Sequence, residues 1–326
     1  MLDNKKPFKT WNQQLTILRK RGLKVPSNSK RSLEKIGYYT LINGYKNLFL
    51  ARDSSGNIIK PEKFIDGSTF DEILALYEFD KKLRSILYDA LLEYEANLAA
   101  EIAYRFSEKF PQENSYLAID NFDSTDVSSV VGTISALSNT IKQKTSVKKY
   151  QQNAIKHYVN IHGHVPLWVL VNFLTFGELN YFYKNCQSEI QIKIANDFAQ
   201  NLRREYRKKY MASITPDIID TINHMVNHFR NAVAHNEITY SKQLSKAPTM
   251  RLIKKLLKLD TWKISSQSGI FELIICLKIV LPKKDYAVLS KNIVGLLKKY
   301  ESKFRSVSFE GILQDMNFPS NYSDLL

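Results

Sequence analysis

One short segment of the sequence combines side chains that together could cleave a phosphodiester. Arg230, Asn231 and His235 lie within six residues that read Arg-Asn-Ala-Val-Ala-His. A histidine that titrates near neutral pH can take or give a proton, and a guanidinium matches a phosphate in geometry and in charge. RNA can be cut without a metal when its own 2′-hydroxyl attacks the adjacent phosphorus. We therefore take these three residues, the Arg-His motif, as candidate catalytic residues, and their spacing leaves open whether His235 is the acid or the base.

The motif lies on a predicted amphipathic helix. Thr215-Pro216-Asp217 supplies an N-cap residue, a proline at the first helical position and an acid in the first turn. A polar stripe with spacings of 4, 4, 3 and 4 follows: Asp220, His224, His228, Asn231 and His235. The opposite face is apolar: Ile218, Ile222, Met225, Phe229 and Val233. A helix segregated in this way packs one side into a core and presents the other side to a cleft or a partner.

His224 and His228 allow two interpretations. Their spacing is that of a zinc-binding helical pair, and Asp220 could be a third ligand, but no glutamate stands between the two histidines. Polar lining of a cleft is the simpler interpretation, and we predict neither a metal nor a cofactor. We assign RNA contacts to the two histidines and to a basic run before the motif helix: Arg203, Arg204, Arg207, Lys208 and Lys209.

The net charge of +15 favours a polyanionic partner. Residues 246–305 carry 14 Lys and Arg against 4 Asp and Glu, which is a net charge of +10. Nucleic acid is the commonest polyanion that such an excess attracts. The alternative is a solvated, lysine-rich surface without a specific partner.

The sequence also indicates the compartment. No apolar run reaches the length of about 18 residues that a membrane helix requires, and the first residues contain no apolar stretch typical of a signal peptide. Cys186 and Cys276 lie in apolar surroundings and are expected to be buried thiols. We predict a cytoplasmic protein that does not bind membranes.

The pattern of the chain predicts an all-α fold. Eleven Gly and nine Pro are few for 326 residues, which disfavours a β architecture with frequent turns. We predict an N-terminal helical region (1–66), a helical bundle (67–240) and a basic C-terminal extension (241–326). Helices are expected at 8–22, 29–50, from a capping box at Thr69–Glu72 to Phe106, from Pro166, from Thr175, at 188–210, near 248–259 and at 285–304. We predict a loop with a weak helix at residues 111–149. Residues 270–281 are predicted to form either a strand or a buried helix.

Other polar and aromatic residues remain ambiguous. Asp80 and Arg84 are one helical turn apart, which favours a surface ion pair of small energy. Glu95 could join a buried network with Arg84 or with the motif helix, or lie on a solvated face. Three tyrosines of the N-terminal region are expected in the core more often than stacked on bases: Tyr38, Tyr39 and Tyr45.

Several segments resemble one known family. The Arg-His motif resembles the R-x(4–6)-H signature of HEPN domains, with the favoured Asn after the Arg. Three stretches are similar to blocks of Abi-like proteins of the AbiD/AbiF group, in the family's order: Leu33–Tyr45, Phe79–Arg84 with Glu95, and Pro166–Trp168 through Phe176–Leu179. The resemblance implies a helical HEPN core, a homodimer with a composite site, a function in abortive phage defence and, in some members, an associated structured RNA. It also allows a structural or site-supporting role for Asp80 and Arg84, as the alternative to a surface ion pair.

These observations predict a metal-independent endoribonuclease that acts as an abortive-infection toxin on RNA. Arg230 would stabilise the phosphate, Asn231 would position it, and His235 would transfer a proton. The principal alternative is a non-catalytic RNA-binding protein that forms a ribonucleoprotein with a structured non-coding RNA. A third is a metal-dependent hydrolase that uses His224 and His228.

Overall fold

The prediction of an all-α protein is confirmed by the computed structural model, which describes residues 7–146, 148, 151–207, 209–210, 213–245, 247 and 249–326. The helices are α1 (Trp11–Lys20), α2 (Ser29–Ile36), α3 (Phe70–Lys109), α4 (Val127–Thr145), α5 (Ala154–His162), α6 (Leu167–Leu170), α7 (Phe176–Asn185), α8 (Ser188–Glu205), α9 (Pro216–Ala234), α10 (Met250–Leu256), α11 (Ile270–Val280), α12 (Lys283–Glu301), α13 (Phe309–Asp315) and α14 (Tyr322–Leu325). Two strands of two residues each, β1 (Leu244–Ser245) and β2 (Gln267–Ser268), pair antiparallel. Short π or 3₁₀ turns cover Tyr39–Asn43, Asn47–Phe49, Ser115–Leu117, Ile119–Asn121 and Val171–Phe173.

The central element is α3, a helix of 40 residues that is about 60 Å long. It begins at the predicted capping box, in which the Thr69 hydroxyl accepts a hydrogen bond from the amide of Glu72 and the Glu72 carboxylate accepts from the amide of Thr69. Apolar residues are buried along its whole length, and α6, α7, α8, α9, α11 and α12 pack around it. The helix is therefore a common wall for the other elements, including the motif helix α9.

The C-terminal region packs into the same core. Residues 270–281, which allowed a strand or a buried helix, form the helix α11, and every residue from Ile270 to Val280 is buried. α11 contacts α3, α8, α9 and α12, so its sequence shows no alternation of polar and apolar positions. The hydrophobic core is continuous across the two boundaries that we placed near residues 66 and 240, and the boundaries themselves stay a prediction.

Three predicted segments differ from the structure for identifiable reasons. Residues 29–50 do not form one helix, because Gly37 with φ +87° ends α2 in a conformation that favours glycine. Residues 127–145 form a longer helix than predicted, and two of its four buried positions are threonines, which hid the apolar period. α8 ends at Glu205 rather than near 210, and Arg207 with φ +50° turns the chain away.

The cysteine prediction is confirmed, since Cys186 and Cys276 are free and buried. Burial raises the pKa of both thiols well above the ordinary value. Within the described residues, no helix combines the length and the apolar character that a bilayer span needs.

Glu72 joins the start of α3 to the C-terminal region. Its Oε1 accepts hydrogen bonds of 2.7 Å from the amides of Arg305 and Ser306, and Oε2 accepts from Thr69. Glu72 is only 3% exposed. Burial acts to raise the pKa of its carboxyl, but the hydrogen bonds from Ser306, Arg305 and Thr69 outweigh burial and leave that pKa lowered.

Replacing Glu72 with Gln should destabilise the protein by about 2–3 kcal/mol at pH 7, because an amide group would face backbone donors in place of a charged acceptor. Urea unfolding measures this loss, and the exposed Glu78→Gln on the same helix is the control. Because the pKa of Glu72 is lowered in the folded protein, its carboxylate increases the free energy of unfolding at pH values above the ordinary pKa of 4.5. This contribution is lost as the pH falls through the pKa of the folded state. The gap between wild type and Glu72→Gln should therefore narrow below pH 4.5, and a gap that stays constant with pH would contradict this role.

Candidate functional site

The two faces of α9 are segregated as the sequence pattern indicates. The apolar face is buried, with exposed fractions of 7% or less at Ile218, Ile222, Met225, Phe229 and Val233. On the polar stripe, Asp220 is half-buried, while His224, His228, Asn231 and His235 are exposed. The tight packing of one face against α3, α7, α8 and α11 fixes the helix, and the other face remains open.

The Arg-His motif lies at the C-terminal end of α9. Asn231 and His235 are one turn apart, and the amide of His235 donates to the carbonyl of Asn231 at 3.0 Å. Arg230 is half-buried, and its Nε donates to Glu95 Oε2 on α3 at 3.3 Å. Among the described residues, Arg230 forms a hydrogen bond only through Nε. Its two terminal amino groups therefore remain available to a ligand. Glu95 therefore contacts the motif helix, which is one of the alternatives that the sequence allowed for it.

His224 and His228 lie side by side, with ring centroids 4.6 Å apart in an edge-to-face arrangement. Partial burial lowers the pKa of His228 below its ordinary value. The electrostatic effects of His224 and Lys242 lower this pKa further. Asp220, the possible third metal ligand, instead forms an ion pair of 3.3 Å with Lys184. Among the described residues, no three or more His, Cys, Asp or Glu side chains are grouped so that they could hold a metal ion.

The prediction of a surface ion pair at Asp80 and Arg84 is wrong, because both side chains are buried, with exposed fractions of 0% and 6%. Asp80 accepts hydrogen bonds from Arg84 Nη1 and from the Tyr45 hydroxyl, the latter at 2.7 Å. It also accepts from the backbone amides of Thr239 at 3.2 Å and Tyr240 at 2.8 Å. These five residues form the Asp80 network, which ties the chain after α9 to α3 and to the N-terminal region.

Burial raises the pKa of the Asp80 carboxyl, and the Arg84 guanidinium and the hydrogen bonds act against burial. Burial together with the Asp80 charge also raises the pKa of the Tyr45 hydroxyl, which therefore acts as a donor. Arg84 Nη1 donates in addition to the carbonyl of Glu237 at 3.1 Å. The network thus holds the turn that follows the motif.

A residue in the left-handed backbone conformation ends α9 immediately after the motif. Asn236 has φ +55°, its amide donates to Val233, and the amide of Glu237 donates to Ala232, which is the Schellman pattern of a helix end. The turn forms one wall of an open cleft of about 590 Å³. We call it the Tyr39 cleft, and its lining includes Tyr39, Thr40, Asn43, Tyr77, Lys81, Arg84, Asn236, Glu237 and Ile238.

The basic run assigned to RNA contacts lies at the end of α8 and after it. Arg203 is half-buried, whereas Arg204, Arg207 and Lys209 are exposed. Arg204 donates to Asn201 at 2.9 Å, and Lys209 Nζ lies 5.5 Å from the centroid of the Tyr210 ring. Lys208 lies outside the described residues. None of the described members lines the Tyr39 cleft, so the structure does not bring the run to that cleft.

In a comparison with protein families, the family model described as Abi-like protein matches residues 31–241, which are 211 of the 326 residues. The chain belongs to the Abi-like protein family. Membership suggests a function in abortive infection and is compatible with an enzyme that acts as a toxin. Neither the curated proteins nor the solved structures include a match to the chain.

In this Abi-like protein, three separated parts of the matched region meet in the Asp80 network. Tyr45 comes from the tyrosine-rich N-terminal segment, Asp80 and Arg84 come from α3, and Thr239 and Tyr240 follow the motif helix. The sequence singled out Tyr45, Asp80 and Arg84 but gave no sign that they meet. The backbone donors at 239 and 240 leave no signal in the residue types.

Replacing Asp80 with Asn should destabilise this Abi-like protein by about 3–5 kcal/mol, because the Arg84 guanidinium would remain buried without its counter-charge. Urea unfolding measures this loss, and the exposed Asp89→Asn on the same helix should stay within about 0.5 kcal/mol of wild type. The amides of Thr239 and Tyr240 should also exchange hydrogen faster in Asp80→Asn. A variant with wild-type stability and unchanged exchange would show that the network does not hold the turn.

Proposed function

We propose that this Abi-like protein is a metal-independent endoribonuclease that acts in the cytoplasm as an abortive-infection toxin. One observation carries the proposal: Arg230, Asn231 and His235 all lie at the open, C-terminal end of α9, where His235 is exposed and the terminal amino groups of Arg230 have no hydrogen-bond partner among the described residues. A polynucleotide can reach this end of the helix. The net charge of +15 also favours binding of a polyanion.

The proposed chemistry is attack of the RNA 2′-hydroxyl on the adjacent phosphorus. His235 transfers a proton, either from the 2′-hydroxyl or to the departing 5′ oxygen. Arg230 stabilises the charge that develops on the phosphoryl oxygens, and Asn231 positions the phosphate. Glu95 holds the guanidinium through Nε at 3.3 Å, which leaves its other edge for the phosphate. The products are a 2′,3′-cyclic phosphate and a 5′-hydroxyl.

A complete site requires two copies of the chain in this proposal. The chain contains a single Arg-x(4)-His sequence, so one chain supplies one histidine and one arginine of this kind. In this proposal Arg230 of one copy and His235 of the other contact the same phosphate from opposite sides, so each of the two sites needs both copies. We propose a homodimer with two-fold symmetry, in which the open end of α9 in one copy faces the same end in the other.

The second candidate function is binding of a structured non-coding RNA without cleavage. The excess of positive charge favours it as much as it favours a nuclease, because charge attracts RNA whatever happens to the strand. The two functions differ in what the imidazole of His235 does, and a truncation of this side chain separates them.

Purified wild-type protein should cleave total RNA in the presence of EDTA and leave 2′,3′-cyclic phosphate and 5′-hydroxyl ends. His235→Ala should cut at least about 100-fold more slowly, because general acid–base catalysis contributes that much or more. RNA affinity should remain nearly unchanged. Gel analysis with end-group labelling measures cleavage, and the exposed His162→Ala is the matched control.

Other outcomes of this experiment count against the nuclease. Activity that EDTA abolishes would indicate the metal-dependent alternative with His224 and His228. The ribonucleoprotein would be favoured if wild type binds RNA tightly without cleaving it. A separate assay of toxicity in cells would favour it as well if wild type and His235→Ala are equally toxic.

A mixture of two inactive variants tests the composite site. Arg230→Ala keeps the histidine and His235→Ala keeps the arginine, so a mixed dimer contains one site with both groups if the two come from different copies. Random pairing should restore about a quarter of wild-type activity. Co-expression with two affinity tags isolates the mixed dimer, and its inactivity would contradict a site shared between copies.

A further inference from the structure

The Tyr39 cleft lies beside the Arg-His motif and has no part in the proposed proton transfers. Asn236, in its wall, follows His235 directly, so the two Cα atoms are about 3.8 Å apart. Its volume of about 590 Å³ falls within the range of about 300–1,000 Å³ that is usual for pockets holding small organic groups. What could occupy it follows from the side chains at its rim.

One side chain of the cleft is an unusually exposed aromatic ring. Tyr39 is 80% exposed, whereas Tyr45, six residues later, is 2% exposed and belongs to the core. Tyr77 is half-buried in the same cleft and packs edge-to-face on Tyr45 with centroids 5.6 Å apart. Of the three tyrosines that the sequence left ambiguous, Tyr39 therefore has a ring face available for stacking.

The rim also carries uncommitted hydrogen-bonding groups. Thr40, Asn43 and Asn236 are exposed, and their side chains have no hydrogen-bond partner among the described residues. An asparagine amide both donates and accepts, as does the edge of a nucleobase.

The charge of the cleft is positive. Lys81 is exposed and has no ion-pair partner in the part of the chain that the structure describes. The carboxylate of Glu237 is paired with Lys242 at 3.1 Å. Arg84 lies at the cleft with 6% of its side chain exposed, and its buried Nε has no hydrogen-bond partner in the described residues. The single acid at the cleft is thus neutralised, while one lysine remains free for an anion.

We propose that the Tyr39 cleft holds one nucleotide of single-stranded RNA, next to the phosphate at the Arg-His motif. Tyr39 stacks on the base, Asn43 and Asn236 contact its edge, and Lys81 contacts a phosphate of the strand. The cleft then determines which base stands beside the cleaved bond. This inference rests on the proposal that the protein acts on RNA, and it adds the subsite that orients the strand.

Binding of a fluorescein-labelled single-stranded RNA of mixed sequence to the non-cleaving His235→Ala protein tests the subsite. Adding Tyr39→Ala should weaken binding about 10-fold, since stacking on an aromatic ring contributes about 1–3 kcal/mol per base. Tyr39→Phe keeps the ring and should bind like the parent, whereas Tyr39→Leu keeps only bulk and should bind like Tyr39→Ala. Fluorescence anisotropy measures the affinities, and Tyr104→Ala is the matched control, because Tyr104 is 61% exposed in a different groove.

Lys81→Ala should lower the slope of log affinity against log salt by about 0.7, the value for one phosphate contact on a single strand. Equal affinities of Tyr39→Ala, Tyr104→Ala and the parent would overturn the subsite even if wild type cleaves RNA. Conversely, a 10-fold loss in Tyr39→Ala alone, with a wild type that does not cleave, would support the subsite and remove the nuclease. No measurable RNA binding by the parent would overturn both proposals.

Discussion

The buried carboxylate of Asp80 constrains the rest of the structure around the site. A carboxylate without water is very unfavourable unless donors surround it, and this one receives hydrogen bonds from Arg84, Tyr45 and the amides of Thr239 and Tyr240. Two of these donors belong to the backbone, so the Asp80 carboxylate holds the chain after α9 against α3. This contact gives α9 a defined end and makes the turn one wall of the Tyr39 cleft.

Much of the helical architecture could be predicted from the sequence, because local signals determine it. The capping box at Thr69 and the proline at residue 216 each begin a helix where predicted. What could not be predicted depends on long-range contacts. A spacing of four residues between Asp80 and Arg84 is the same for an exposed and a buried pair. The pair is buried here because Tyr45, Thr239 and Tyr240, which are distant in sequence, pack on it. The partner of Arg230 is 135 residues away, so Glu95 remained one option among several.

The positive charge of the C-terminal region is partly used inside the protein. Lys278 is 8% exposed, and its ammonium donates to the carbonyl of Leu325 at 3.2 Å. Burial, with a smaller effect of Lys209, lowers the pKa of Lys278 to about 8. Lys254 similarly donates to the carbonyl of Trp262 at 2.7 Å. The count of lysines in the sequence therefore overstates the charge that this region offers to RNA, and a few well-placed cations matter more than the total.

The packing of α9 limits how the proposed site can work. Its apolar face is taken up by α3, α7, α8 and α11, so the polar stripe is the surface of this helix that remains for RNA or a second copy. Glu95 fixes Arg230 from the α3 side, whereas the side chain of His235 has no hydrogen bond or ion pair to any described residue. A guanidinium held through Nε, together with an imidazole that has no partner among the described residues, is suited to a site whose geometry is completed from outside the chain. The strand itself, oriented in the Tyr39 cleft, and the matching end of a second α9 are the two elements that could supply that completion.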